Sequence, residues 1–375
     1  MKTTVYVVRH CESEGNACRR NQARFDGVVT RKGVEQSKVL AERFRDVPVT
    51  AIYSSDAYRC RVTAEPLAKM KGLPIRYRML LREYTIGAWE ATAIGYTACH
   101  YPERYERWLK TPYDHDIPGA DPFWLAADRG CEAIRMIAEE NPGGTVVAFS
   151  HSCTMTCAMT KLLGQPISAY YSVNSGDNTA VTKLEVDESG KIEVCYIGDV
   201  KHLPQELLRA NYPGRSAAGN FNFERICLPK DAAQLRELCT AAEAETPAFF
   251  KAEKMYAEVE QTLSGEPAFA VFPMLLDRVC GVVALRRDPE LPEDHGRMSL
   301  LWVAPDLRDR GYTEQAFGEA IDLLRRRGMR WLVTERSVEH HLKLLHGRFF
   351  FEPMPGSDKL LRMAITTPGL DEPVY

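Results

Sequence analysis

Two apolar runs in this chain each end in a histidine. Val5-Tyr6-Val7-Val8 leads into Arg9-His10, and Val146-Val147-Ala148-Phe149 leads into Ser150-His151. Short uninterrupted runs rich in β-branched residues suit strands buried on both faces, as in parallel sheets covered by helices. Ligands of such sheets bind just outside the carboxyl ends of the strands. Both histidines are therefore delivered to the edge where a pocket forms. A histidine at a strand end also serves as a packing residue, but the neighbours of His10 argue for chemistry. Arg9 precedes it, and Glu12, Ser13 and Asn16 follow. A cation, small polar groups and an imidazole that is substantially neutral near pH 7 suit an oxyanion.

At 375 residues the chain is too long for one ordinary core and comfortable for two. A net charge of −3 sets up no field that would recruit nucleic acid or an acidic membrane, so neither is expected as a partner. No apolar run approaches the roughly 20 residues of a membrane helix. Met1-Lys2-Thr3-Thr4 runs straight into a strand without a signal-peptide layout. Eleven scattered cysteines, an odd count, fit a reducing compartment better than a disulfide framework, and the expected location is cytoplasmic.

Two cysteine patterns are set aside. Cys18 and Arg24 have C-x5-R spacing, yet no glycine lies between them and no strand precedes them. Cys11 and Cys153 each lie beside one of the two histidines and could complete a zinc site. Neither pair has the usual ligand spacing and Arg9 would repel a cation, so the site is read as metal-free.

The first half alternates strands and helices. Strands are expected over residues 3–9, 49–53, 74–78 and 145–149. Helices are expected over 31–45, capped by Thr30, over the stretch following Ser54-Ser55-Asp56 to Lys71, and over 129–140 and 154–163. Pro66 predicts a kink or an early break in the second helix. Residues 80–128, with Trp89, Trp108, Trp124 and four prolines, read as an irregular lid. A hairpin over 178–186 and 191–197 closes this half. The Pro/Gly/Ala-rich stretch 204–220 reads as a linker. Beyond it come helices over 232–243 and 248–263, strands over 268–272, 278–286, 298–303 and 330–335, and a helix over 314–327.

Arg9-His10-Cys11-Glu12-Ser13 with Asn16 resembles the Arg-His-Gly loop of the histidine phosphatases, the superfamily that includes phosphoglycerate mutases. Thr30, Gly33, Gln36, Tyr53-Ser54-Ser55-Asp56, Arg59, Cys60, Thr63, Ala64, Leu81-Arg82-Glu83, Gly87, Trp89, Glu90 and Ser150-His151 extend the pattern in order. The resemblance implies an α/β fold with an N-terminal three-layer α/β/α phosphoglycerate mutase-like domain over residues 1–203. It implies His10 as the nucleophile, with Arg9, Arg59, Asn16 and His151 around the phosphate of a small-molecule phosphomonoester, and Glu83 as the acid. A glutamate must be protonated to play that part, which burial or the phosphate's charge would favour. No cofactor is implied for this domain. Departures fall at the substrate end: Cys11 replaces the glycine after the nucleophile, Ser152 and Cys153 replace glycines after the second histidine, and Ala120-Asp121-Pro122 replaces a Gly-Glu-Ser. Nothing in the sequence argues for a phosphorylated intermediate closed to water, so hydrolysis is favoured over a mutase-type phosphotransferase.

Residues 221–367 resemble the GNAT family of N-acetyltransferases, implying a C-terminal α+β domain. Gly281 falls in the hairpin strand, residues 300–305 fit the strand beside the pantetheine, and Arg308-Asp309-Arg310-Gly311-Tyr312-Thr313 precedes a helix. The family loop is Gln/Arg-x-x-Gly-x-Gly/Ala, whose amides cradle a pyrophosphate at a helix N-terminus. The resemblance implies acetyl-CoA held by Arg308, Arg310, Gly311 and Thr313, with an amine as acceptor. Thr313 replaces the last small residue, and Leu345 stands where the family often has a tyrosine, with His340, His341 and His346 nearby. The expected whole is a bifunctional enzyme, phosphatase and acetyltransferase. The alternative is a phosphatase joined to a noncatalytic acyl-CoA-sensing or interaction domain.

Overall fold

The computed structural model describes residues 1–208, 217–265, 269–335 and 347–369. In the N-terminal half, β1 (Thr3–Arg9) is followed by α1 (Glu14–Ala17), α2 (Arg31–Arg43), β2 (Ala51–Ser54), α3 (Tyr58–Lys71) and β3 (Ile75–Tyr77). Then come α4 (Ile94–His100), α5 (Pro102–Lys110), α6 (Phe123–Glu139), β4 (Thr145–Ser150), α7 (Ser152–Leu162), β5 (Val181–Val186) and β6 (Ile192–Asp199). The sheet order is β3-β2-β4-β1-β5-β6. The first four strands in that order pair in parallel, and β5 and β6 join antiparallel. Alternate residues of the apolar strands supply both faces. Val8, Ile52, Val147 and Phe149 meet Leu40, Phe44, Ala64 and Leu67 of α2 and α3. Val5, Val7, Val146 and Ala148 meet Ile134, Ile137, Met155 and Met159 of α6 and α7. The result is the expected three layers.

Local chemistry differs from the sequence reading at three points. Pro66 neither breaks nor shortens α3, which runs on to Lys71. A mid-helix proline costs about 3 kcal/mol, and the fully buried stripe of Cys60, Thr63, Ala64 and Leu67 offsets that loss. The start of α3 is not capped by Ser54, Ser55 or Asp56. Ala57 holds the cap position, and the carboxylate of Asp26 accepts from the Tyr58 amide. The expected irregular lid contains two short helices, α4 and α5, with Pro102 opening the second, where its missing N–H is harmless. Trp89 and Trp108 are buried there with Tyr84, Tyr105 and Phe123, whereas Trp124 is exposed.

The C-terminal half holds β7 (Asn222–Arg225), α8 (Ala232–Glu245), α9 (Ala252–Ser264), β8 (Phe269–Leu275), β9 (Arg278–Val279), β10 (Gly281–Arg286) and β11 (His295–Val303). It ends with α10 (Tyr312–Arg325), β12 (Trp331–Glu335), β13 (Glu352–Pro353) and β14 (Leu360–Ala364). The sheet order is β13-β14-β12-β11-β10-β8-β7, with β9 beside β8. Among the described residues of this sheet, only β11 and β12 pair in parallel, through His295, Gly296 and Arg297. The sequence-stretch 204–220 is described only outside 209–216, and its last residue, Asn220, is already buried. His340, His341, Leu345 and His346 lie outside the described residues. No described helix is long and apolar enough to cross a membrane.

The two halves share packing. Ala17 and Cys18 of the N-terminal half belong to the same apolar cluster as Phe317, Ile321 and Val282 of the C-terminal half. Gly318 of α10 lies so close to Cys18 that a Cβ on it would meet the Cys18 Cβ at 2.3 Å.

Candidate active site

Register brings the two histidines together. Arg9 is the partner of Ser150 across the parallel β1–β4 ladder, so His10 and His151 leave adjacent strands side by side. Their ring centroids stand 5.3 Å apart. Ser54 of β2 pairs with Phe149, which brings the following loop and the first turn of α3, with Arg59, to the same end.

His10 is buried, and its Nδ1 donates to the Cys11 carbonyl at 2.7 Å. The lone pair therefore resides on Nε2. Burial, then the charges of Arg59 and Arg9, hold its pKa well below the ordinary histidine value, so the ring is neutral. Asn178 Nδ2 donates to the His10 carbonyl at 2.9 Å, and the Thr179 amide points at the carbonyls of Arg9 and His10. Thr179 holds φ at +61°, a costly conformation for a β-branched residue and one that recurs at functional sites.

Arg59 is almost fully buried. Its Nη1 donates to the Phe25 carbonyl and to Asp26, and its Nη2 donates to the Ala23 carbonyl and to His151 Nδ1 at 3.0 Å. Because a guanidinium only donates, Nδ1 of His151 is the acceptor and its Nε2–H faces Ser55 Oγ at 3.0 Å. Burial, Arg59 and His10 hold this ring neutral as well. The Arg59 Nε–H is buried and has no partner among the described residues. Such a donor is expensive to strand unless an anion takes it up.

Glu83 is buried at the N-terminus of α7. Its Oε1 accepts from the Thr154 amide at 2.8 Å, the Thr154 hydroxyl at 2.9 Å and the Tyr84 amide at 3.1 Å, and its Oε2 accepts from the Cys153 amide at 3.0 Å. Ser152 and Cys153, in place of glycines, thus form an ordinary helix start. Asp121, in place of a glutamate, receives the Thr85 amide. Asn16 Oδ1 accepts from Ser13 and from Asn178 Nδ2, tying the loop to β5's approach. Arg9 Nη1 donates to the Gly176 carbonyl at 2.9 Å. Cys11 takes up its position without a left-handed backbone. Its thiol is sealed among Thr63, Ser37 and the Arg59 carbonyl, and burial pushes its pKa up to about 11. Among the described residues no three His, Cys, Asp or Glu side chains gather as metal ligands.

A cleft of about 700 Å³ opens over His151, Glu83 and Ser55. Arg24, Arg82 and Arg129 also line it, and none of these was marked as a site residue from sequence. Arg82 pairs with Asp56, and Arg129 donates to the carbonyls of Leu80 and Arg82. Arg24 lies in an irregular loop and Arg129 within α6, where no local pattern distinguishes a cleft arginine from a surface one.

In the C-terminal half, β10 and β11 change register between Ala284 and Leu285, leaving Ser299 bulged. The described pairing of β11 with β12 stops at Arg297 and Val333, and a second cleft of about 280 Å³ lies beyond it against Ser299, Leu300, Thr334, Phe250 and Lys254. Asp309 at φ +56° and Gly311 at φ +83° shape the loop into α10. Only glycine adopts the Gly311 conformation freely. Arg308 is engaged elsewhere: its Nε donates to the Val303 carbonyl and its Nη atoms bind Glu245. Arg310 is exposed; it donates to the Asp306 carbonyl at 3.5 Å and its guanidinium lies over the Tyr312 ring at 5.8 Å. Thr313 is buried in the first turn of α10.

A mostly parallel sheet thus carries two neutral imidazoles and a buried guanidinium at its carboxyl edge, in an α/β domain. The model of the histidine phosphatase superfamily (branch 1) matches residues 5–197, and the chain belongs to that superfamily. The acetyltransferase (GNAT) family model matches residues 235–347, so a GNAT-family domain is carried in the same chain. The probable phosphoglycerate mutase GpmB of Salmonella choleraesuis is 31% identical over 212 residues, covering 54% of this chain and 96% of that protein. Among solved structures, Bacillus stearothermophilus YhfR has a TM-score of 0.51 at 30% identity, over 53% of this chain and 98% of that chain. A structure titled Mycobacterial hydrolase 2, at 19% identity and a TM-score of 0.50, shares the fold over 55% of this chain and 94% of its own.

Proposed function

We propose that the N-terminal domain hydrolyses a small-molecule phosphomonoester through a phosphohistidine on His10. The observation that carries this reading is the tautomer of His10. With Nδ1 donating to the Cys11 carbonyl, Nε2 offers its lone pair beside His151 and Arg59. In this reading Nε2 attacks phosphorus and the ester oxygen departs as an alkoxide. Arg59, through its unused Nε–H, Arg9, Asn16 and His151 hold the equatorial oxygens. His151 must trade its Ser55 partner for phosphate. Glu83 passes a proton to the alkoxide. It then accepts one from the water that splits the phosphohistidine, releasing inorganic phosphate and restoring His10. Hydrolysis is favoured over mutase-type phosphotransfer because exposed Met79 and Arg24 border the cleft and admit water. The test is a screen of metabolite phosphates on the full chain beside its His10→Ala variant. Turnover that survives in the variant would reject the reading.

For the C-terminal domain we infer acetyl-CoA as ligand. The GNAT family uses it generally, and it supplies an activated acetyl thioester to an amine. The backbone frame fits: a loop with two left-handed residues opens onto α10, and β11 parts from β12. Gly311, Arg310 and the first-turn amides near Thr313 would hold the anionic end, while Arg308, bound to Glu245, supports the loop. A second reading, an acyl-CoA sensor without catalysis, is favoured by the packing of α10 against the His10 loop. Coenzyme A binding and acetyl transfer across an amine panel, measured side by side, separate the two readings. All eleven cysteines are free thiols, which supports a reducing, cytoplasmic setting.

A further inference from the structure

The segment that follows His10 carries charges that form ion pairs with the other half of the chain. Glu14 is fully buried, and its carboxylate is gripped at both oxygens by Arg325 of α10, at 3.2 and 2.7 Å. Glu12 is 3% exposed, and its Oε2 accepts from Arg348 at 3.1 Å while Oε1 accepts from the Thr30 hydroxyl. Arg20 is 2% exposed and reaches Glu319 at 2.9 Å and Asp322 at 2.7 Å, both on α10. The neighbouring Cys18 is fitted against Gly318 of the same helix. The GpmB relative is matched over 96% of its length by about half of this chain. In the present chain, among the described residues, the ion-pair partners of Glu12, Glu14 and Arg20 come from the other half.

We infer that Arg325 and Arg348 of the C-terminal domain are positioning residues of the hydrolytic site. They neutralise two buried carboxylates that lie two and four positions beyond the nucleophile, and so hold the loop that presents Asn16. The inference rests on the phosphatase reading above. Its physical basis is the cost of stranding a buried charge. Without Arg325, the Glu14 carboxylate either remains buried without its ion-pair partner at the base of the His10 loop, or swings out and carries α1 with it. Both outcomes weaken the phosphate subsite more than they alter the attack of His10. Arg325 also donates its Nε–H to the Ile365 carbonyl of its own half, and its guanidinium lies over the ring of Phe25, from the N-terminal half, at 4.8 Å, so it is held from both sides where it meets Glu14.

The test uses the full chain, an aryl phosphate substrate and inorganic phosphate as a competitive inhibitor. Arg325→Met is expected to lower kcat/KM by about tenfold or more and to raise the inhibition constant of phosphate by a similar factor, with KM moving more than kcat. Arg325→Lys should recover part of the loss. The double variant Glu14→Gln/Arg325→Met should recover most of it, because no charge is left stranded. A purely scaffolding contact would lower Tm and leave kcat/KM and phosphate inhibition within about twofold of the parent. That outcome, or a double variant no better than Arg325→Met, overturns the inference. Should Arg325→Met fail to fold, Arg348→Met decides by the same two constants. His10→Ala in the same assay keeps the failures distinct, since activity surviving there sinks the phosphatase reading and not the coupling alone.

Discussion

The loop at His10 and the loop at Gly311 are built on one plan, a strand that hands over to polar residues and a helix. In the first, groups from β1, β4 and α3 meet, and a buried guanidinium N–H has no partner among the described residues. In the second, the backbone has the left-handed turns an anion site needs, but the Arg308 guanidinium is already bound to Glu245 and the Val303 carbonyl. A motif reports where the backbone can receive an anion; the unspent donors report whether the side chains are waiting for one. By that measure the N-terminal site is poised for chemistry, and the C-terminal one is poised for binding through its backbone.

The sharpest way to break this contrast is His10→Ala, which should lower aryl phosphate hydrolysis by at least roughly 10³-fold while leaving coenzyme A binding intact. Glu83→Gln comes next. The kcat/KM, which reports phosphoryl transfer to His10, should fall by about 10²–10⁴-fold for alkyl phosphates, whose leaving groups need a proton, and far less for aryl phosphates. Equal losses on both would remove Glu83 from the acid role.

The neutral histidines give a third test, in stability. Both are held below the ordinary histidine value, so below about pH 6.5 the unfolded chain takes up protons that the native state refuses. Their effect is absent above that pH. As pH falls from about 7 to 5.5, unfolding free energy should drop by about 1–3 kcal/mol. Urea titrations should show a shallower pH slope in His10→Gln.

At the other loop, calorimetry should find coenzyme A binding weakened about fivefold by Arg310→Ala. Arg308→Ala should act mainly on Tm through loss of the Glu245 pair. The reverse order would show that Arg308 turns to the ligand. The smallest effect belongs to Cys11→Gly. Because Cys11 is sealed and has no left-handed backbone, kcat/KM should stay within about threefold of the parent while Tm falls modestly.

Local pattern carried much of this reading. The apolar runs before His10 and His151 marked β1 and β4, Thr30 capped α2 through the Gly33 amide, and Gly311 marked the turn into α10. Where expectation failed, a distant residue had intervened. Asp26, not the serines beside it, receives the first amide of α3, and packing carries α3 past Pro66.

Sequence by itself determined the residue types of the candidate site and their places at strand ends, because strand burial and helix capping are short-range effects written in neighbouring residues. Tertiary structure alone decided which nitrogen of each imidazole carries the proton, which arginines border the cleft, and that Glu12 and Glu14 are neutralised from the other half of the chain. Those depend on β1–β4 register and on domain packing, in which partners hundreds of positions apart are chosen by the fold.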